Sequence, residues 1–225
     1  MPGPALELRA GARAAHVVAT SVEDGDLAIA TPPDVLAARR RAVVDLPWTW
    51  MKQVHGATVV RVDHPGEGAG READAAVTAI PGAALAVQVA DCAPVALVGS
   101  DAVAVAHVGW RGLVAGTLAA TVQAMGMGSI RAVVGPCIHA ECYEFGAEAL
   151  AAAEAAAGPR VRSCTSWGTP ALDLVAGIGE QLRSCGVEVL ASPWDVCTAC
   201  TPGYWSHRAR GDTQRQAMVV WMTEP

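Results

Sequence analysis

The sequence predicts an α/β (α+β) domain with a mixed central sheet and flanking helices, organised as one unit over residues 1–225. Three observations carry this. Four apolar runs, too short and too rich in β-branched residues for helices, follow one another between residues 73 and 109. Alanine- and leucine-rich stretches with helical spacing come after them, punctuated by glycine and proline. No repeat, linker or low-complexity tract divides the chain.

In chain order, residues 15–20 (AHVVAT) and 26–31 (DLAIAT) read as short strands. Thr31-Pro32-Pro33-Asp34 then opens a helix carrying Arg39, Arg40 and Arg41, whose charges belong on a solvated face. Residues 48–55 (WTWMKQVH) and 58–63 (TVVRVD) flank a His55-Gly56-Ala57 turn and read as a hairpin, with His55 at a strand end. Residues 64–72 (HPGEGAGRE) form a glycine- and charge-rich loop expected to be mobile. The runs at 73–80, 84–90, 94–99 and 102–109 are expected as central strands of a sheet buried on both faces. A helix over 112–126, a strand at 130–135 and an Ala-rich helix over 144–158 follow. A third helix spans 169–186 with Pro170 near its first position, and residues 187–192 and 216–222 close the chain as strands.

Composition excludes several classes. Hydrophobic residues make up 52% of the 225 and charged residues 17%, which rules out a disordered chain. The formal charge of −6 argues against a binder of phosphate backbones, so nucleic acid is not an expected partner. Glu7 and Arg9 stand where a secretion signal needs its apolar run, and Asp91, Pro94 and Asp101 interrupt the longest apolar region. The expectation is a cytoplasmic protein without a membrane partner. In that compartment an odd count of seven cysteines points to reduced thiols or metal ligands rather than a disulfide framework.

The residues best suited to chemistry sit at the ends of the apolar runs. Cys92 and His107 end two of them, and His55 is a third candidate. One thiolate and two imidazoles suit a borderline-soft metal and leave a fourth position open. The separations of 37 and 15 residues match no compact zinc motif, so spacing leaves open whether the three share an ion or are separate strand-end residues. Asp91 adjoins Cys92, Asp74 lies in another strand-end segment, and Gly109-Trp110-Arg111-Gly112 joins a strand to a helix N-terminus where Arg111 could meet a phosphate or carboxylate. His207, Arg208, Arg210 and Arg215 read either as a solvated basic loop or as a phosphate clamp. Cys137, Cys142, Cys197 and Cys200 could hold a structural zinc or remain free thiols. His139-Ala140-Glu141 with Cys197 to Cys200 has the outward form of the zinc nucleobase deaminase elements, but Pro193 lies four residues before Cys197 rather than beside it.

The segments QVHG (53–56), ADA (73–75), ADCAPV (90–95), AHVGWRG (106–112), GPCIHAECYEFG (135–146), ALDL (171–174), CT (197–198) and SHRARGDTQR (206–215) resemble, in order and across nearly the whole chain, the laccase-domain family once called multicopper polyphenol oxidases. The resemblance implies a layered α/β/β/α fold and zinc-dependent phosphorolysis of purine nucleosides (adenosine, inosine, guanosine or methylthioadenosine), with adenosine deamination as a second activity. It implies zinc ligands His55, Cys92 and His107, with substrates a purine nucleoside and phosphate. Gln53, Trp110, Arg111, Tyr143, Arg208 and Arg215 are the residues expected to touch substrate, and Asp91, Cys92, Arg111 and Glu144 those expected to take part in the reaction. A monomer or weak homodimer is expected. The chain departs from the family at TSVEDGDLAIAT (20–31), which lacks an asparagine, at Ala38-Arg39 in place of Asn-Arg, and at Gln214-Arg215 in place of Gly-Arg.

Two other readings stand beside this one. A mononuclear copper oxidase of phenols could use the same ligands, but a full laccase needs about ten histidines in paired motifs, and this chain has six. An open site for Lewis-acid chemistry suits zinc better than copper. The family's second name, peptidoglycan editing factor, implies a role on cell-wall precursors.

Overall fold

The computed structural model describes residues 5–224. Ala5–Ala10 (β1) and Arg13–Ala19 (β2) form an antiparallel hairpin around Gly11. β1 has no counterpart among the expected elements, because up to the buried Ala10 its side chains alternate between exposed and half-buried, as on a sheet edge. Residues 26–31 are not a strand. Asp26 organises them as a loop, its carboxylate accepting the Ala28 and Arg215 amides at 2.8 and 2.9 Å and its carbonyl accepting Arg39 Nη1 at 2.7 Å.

Pro33–Val43 (α1) forms as its proline signal predicts. Its arginines do not share one solvated face. Arg40 lies over the rings of Trp48 and Trp50 at 5.6 and 5.0 Å, and burial lowers its pKa to about 10. Trp48–Trp50 (β3) and Val59–Val62 (β4) are not hairpin partners either. Each pairs in parallel with a later strand of a different sheet, so the His55 turn is a crossing between sheets. The loop over 64–72 is stitched down, with Glu67 accepting the Asp63 and His64 amides and Gly70 donating to the Trp50 carbonyl.

Ala75–Thr78 (β5), Ala84–Val89 (β6), Ala93–Val98 (β7) and Val103–Val108 (β8) are all wholly buried. They do not share a sheet. β6 joins β1, β2, β3 and the final strand Gln216–Met222 (β13), in the order β1-β2-β13-β6-β3. The others join Arg131–Val134 (β9) and Glu188–Val189 (β12), in the order β12-β9-β7-β8-β5-β4. A run buried on both faces does not disclose which sheet it enters, and β6 is placed by its antiparallel pairing with the distant β13.

Alternation then sorts side chains into layers. Leu85, Val87, Met218 and Val220 meet Ala96, Val98, Val103 and Val105 between the two sheets. On the outer face of the smaller sheet, Ala84, Ala86 and Val219 pack under Leu36 of α1. Val95, Leu97 and Ala106 face the other way onto the helical layer of Leu113, Leu118, Leu150 and Ile178. The architecture is α/β/β/α.

That helical layer begins with Trp110–Ala115 (α2) and Thr117–Met125 (α3), two helices where one was expected. Gly116, left-handed at φ 79°, breaks them apart. Ala147–Ala157 (α4) follows. Pro170 does not start a helix, since Pro170–Leu172 (β11) pairs antiparallel with Arg162–Cys164 (β10). The helix Leu174–Ser184 (α5) starts instead at Asp173, whose carboxylate caps the Ala176 amide at 2.8 Å. A short helix, His207–Arg210 (α6), precedes β13. No described helix is long and apolar enough to cross a membrane.

Candidate metal centre

Pairing of β7 with β8 sets Ala93 opposite Val108 and Pro94 opposite His107, which brings Cys92 and His107 to the same end of the larger sheet. β5 lies on the other side of β8, with Ala75 opposite Ala106, so Asp74 arrives there too. The remaining ligand comes from the crossing loop. Asp74, wholly buried, accepts His107 Nδ1 at 2.8 Å and the His55 amide at 2.9 Å on one oxygen. Its second oxygen accepts the Gly56 amide at 2.7 Å and the Val54 amide at 3.2 Å. One carboxylate thus turns one histidine and anchors the backbone of the other, and it leaves His107 Nε2 free to face a ligand.

The resulting cluster is tight. One donor atom from each of His55, Cys92 and His107 lies within 4.8 Å of the others. Gly109 is the wall behind it, for a Cβ there would sit 2.8 Å from Cys92 Sγ and 3.3 Å from His55 Cδ2. His55 at φ 60° and Asp91 at φ 90° are the described non-glycine residues in the left-handed region, and both flank this cluster. The Asp74 clamp holds the first. The second is held by its own carboxylate, which accepts the Thr198 hydroxyl at 2.8 Å and the Arg208 amide at 2.6 Å.

The electrostatics prepare a thiolate. Burial works to raise the Cys92 pKa, but His107 and His55 outweigh it and bring the thiol down to about 6. Burial likewise opposes charge on His107, yet Cys92 and Asp74 raise it to about 9. Burial also acts against the Asp74 carboxylate, and the His107 contact with the loop amides still keeps it below the usual carboxylate range. An anionic thiol and two imidazoles at this spacing fit a tetrahedral divalent metal with one position open. All three donors are among the residues the sequence singles out, whereas Asp74 carries only one local signal for its role, its place before a buried strand.

A cavity of about 520 Å³ is lined by Cys142, Glu144, Phe145, Trp167 and Arg208 among others. Tyr143, in the same segment, is buried, and burial with Cys92 and Asp91 raises its pKa against the opposing effect of Arg208 and Arg111. Arg208 lies over the Tyr143 ring at 5.1 Å and donates to the Glu144 carbonyl. Arg111 lies over Trp110, which meets Phe145 edge to face. Glu144 accepts Trp167 Nε1 at 3.1 Å. Gln53 and Arg215 are elsewhere, in a second cavity of about 270 Å³. Gln53 spends its amide on the backbone of Gln88, at 2.7 and 2.8 Å. Of the four cysteines considered for a structural zinc, Cys137 stands apart, and Glu141 takes its place beside Cys142, Cys197 and Cys200.

Fold and site together define a layered α/β/β/α protein with a His–Cys–His donor cluster, able to hold one metal ion, at a sheet end. Neither of the described donor clusters has more than two histidines, so there is no ligand set for a multinuclear copper assembly among them. By descent, however, the chain belongs to the family described as multi-copper polyphenol oxidoreductase laccase, which matches residues 12–223. It is 44% identical over 196 residues to a purine nucleoside phosphorylase of Streptomyces coelicolor, covering 83% of this chain and 80% of that one. It is 40% identical over 198 residues to a purine nucleoside phosphorylase of Mycobacterium bovis, covering 82% and 77%. A Neisseria meningitidis crystal structure of a family of unknown function superposes with a TM-score of 0.83 at 27% identity, over 98% of this chain and 99% of that one.

Proposed function

We propose that this protein is a zinc-dependent purine nucleoside phosphorylase acting on adenosine, inosine, guanosine or methylthioadenosine, with His55, Cys92 and His107 as the zinc ligands. The observation that supports it most is that His55, Cys92 and His107 bring one donor atom each within 4.8 Å of the others, in a chain that also has a cavity of about 520 Å³ lined by Glu144 and Arg208 and whose relatives carry that name. Zinc bound there supplies Lewis-acid polarisation of an oxygen on phosphate or nucleoside.

The chain's own residues account for the rest. Arg208 and Arg111 bind the phosphate anion and Trp110 and Tyr143 wall the base. A phosphate oxygen bonds to the anomeric carbon of ribose as the glycosidic bond breaks, and its electron pair leaves on the purine nitrogen. Glu144, which lines the cavity, would exchange the proton that the departing base requires. Asp91 has both oxygens occupied by Thr198 and Arg208, so its part is to hold Arg208 and the strained backbone before Cys92. Gln53 and Arg215 line the separate second cavity and would act on substrate only indirectly.

The test is incubation with adenosine and with inosine, with and without phosphate, followed by product identification. Free base and ribose 1-phosphate are expected, only when phosphate is present, and lost in Cys92→Ala. Inosine accumulating from adenosine without phosphate would assign deamination to the same site. Equal base release by wild type and Cys92→Ala would refute the assignment. Phenol oxidation that requires copper, or binding of cell-wall precursors with no base released, would replace it.

A further inference from the structure

Two segments that line the cavity, 139–146 and 197–210, are more than fifty residues apart in sequence and meet at a group of donors the phosphorolysis reaction does not use. One donor atom from each of Glu141, Cys142, Cys197 and Cys200 lies within 4.8 Å of the others. We propose that these residues form a second, structural zinc site that staples the cavity's two walls together. The proposal is independent of the reaction assigned above.

The donor chemistry fits. Three thiols and a carboxylate are ligands zinc accepts in closed, four-coordinate sites, and donors around a tetrahedral zinc with bonds of about 2.3 Å sit roughly 3.8 Å apart. An ion would draw the present group in by about an ångström at most. The loops are shaped for it. Glu141 and Cys142 lie on a single 3-10 turn (Ala140–Cys142), and Cys197 and Cys200 have the two-residue spacing of a metal knuckle. The His139 amide donates to Cys197 Sγ at 3.4 Å, the kind of N–H to sulfur bond that stabilises a thiolate. Backbone pairing of Cys137 with Cys197 fixes the register between the two loops. Arg210 caps the second loop by donating to the Thr198 and Ala199 carbonyls, placing positive charge beside what would be an anionic centre.

Metal binding there would take the thiols as thiolates and release their protons. Cys142 and Cys200 are reachable from solvent, so an ion has an entry path. Cys142 also lines the cavity next to Glu144, so the staple would set the spacing between Glu144 and Arg208.

The experiment uses the full chain expressed with zinc. Metal content of Cys92→Ala, which removes a ligand of the first site, is expected to remain near one zinc per chain. It should fall to near zero in Cys92→Ala/Cys142→Ser/Cys200→Ser. In wild type, alkylation followed by peptide mass spectrometry should label the exposed Cys164 at once and label Cys142 and Cys200 only after a chelator is added. That readout does not depend on whether the triple variant folds. A zinc-free Cys92→Ala protein, labelling of Cys200 at the rate of Cys164 without chelator, or a disulfide between any two of the three cysteines, would overturn the proposal.

Discussion

Replacing Asp74 with asparagine tests whether one buried carboxylate organises the metal centre. Its two oxygens accept four N–H groups, from His107 Nδ1 and the amides of His55, Gly56 and Val54, and its side chain has no solvent exposure. Asparagine offers one oxygen and one NH₂, so whichever way the amide turns, an NH₂ faces two donors. Losing two bonds to a charged acceptor, at about 1.5–3 kcal/mol each, predicts destabilisation of about 3–5 kcal/mol after relaxation. Zinc affinity at the His–Cys–His site should fall about 10–100-fold, because His107 loses the partner that sets its tautomer. Urea denaturation of metal-free protein measures the first quantity, and competition with a chromophoric chelator measures the second. The sign with pH is fixed too. A carboxylate held below its usual range contributes stability above that range and loses it as pH falls through the folded value, so wild type and Asp74→Asn should converge in acid. Unchanged denaturation midpoints with zinc affinity within about twofold of wild type would refute this account of the clamp.

Gly109→Ala sets a methyl group 2.8 Å from Cys92 Sγ, where heavy atoms ordinarily approach to about 3.5–4.0 Å. Overpacking of about 1–3 kcal/mol is expected, with loss of bound zinc on elemental analysis and retention of the native circular dichroism spectrum. In metal-stripped protein, alkylation of Cys92 should rise with a midpoint at a pH of about 6; a midpoint in the ordinary thiol range would contradict the imidazole effect. The Cys92 contribution to stability is lost as pH falls through about 6 and that of His107 as pH rises through about 9, so the metal-free pair should be most intact between those values. Arg208→Ala should raise the phosphate KM by about tenfold or more, consistent with loss of a charge-assisted contact. Arg215→Ala, in the separate cavity, should change it little, and the reverse order in steady-state kinetics would exchange their roles.

Legibility differed by kind of feature. α1, α4 and the buried strands were readable because proline, glycine and apolar periodicity act within a few residues. The 48–63 hairpin that the turn residues predict does not form, because β3 and β4 satisfy their backbones with β6 and β5, strands made later in the chain. The helix predicted from Pro170 starts at Asp173 instead, because the Phe145 amide claims the Pro170 carbonyl. Arg40 reads as a surface charge in one dimension, and the fold brings the indoles of Trp48 and Trp50 beneath it.

By itself the sequence determined the residue types at the centre, the family and the layered fold implied by it, since side-chain chemistry and motif order are properties of the chain read in one dimension. Only the tertiary structure decided which strand enters which sheet, that Asp74 holds both histidines, that Gln53 and Arg215 sit apart from Arg208, and that Glu141 rather than Cys137 joins the second group of thiols. Those are matters of register and approach between segments distant in sequence. A strand buried on both faces presents the same pattern in either sheet, and a cysteine carries no local mark of which other donors will stand within 4.8 Å of it.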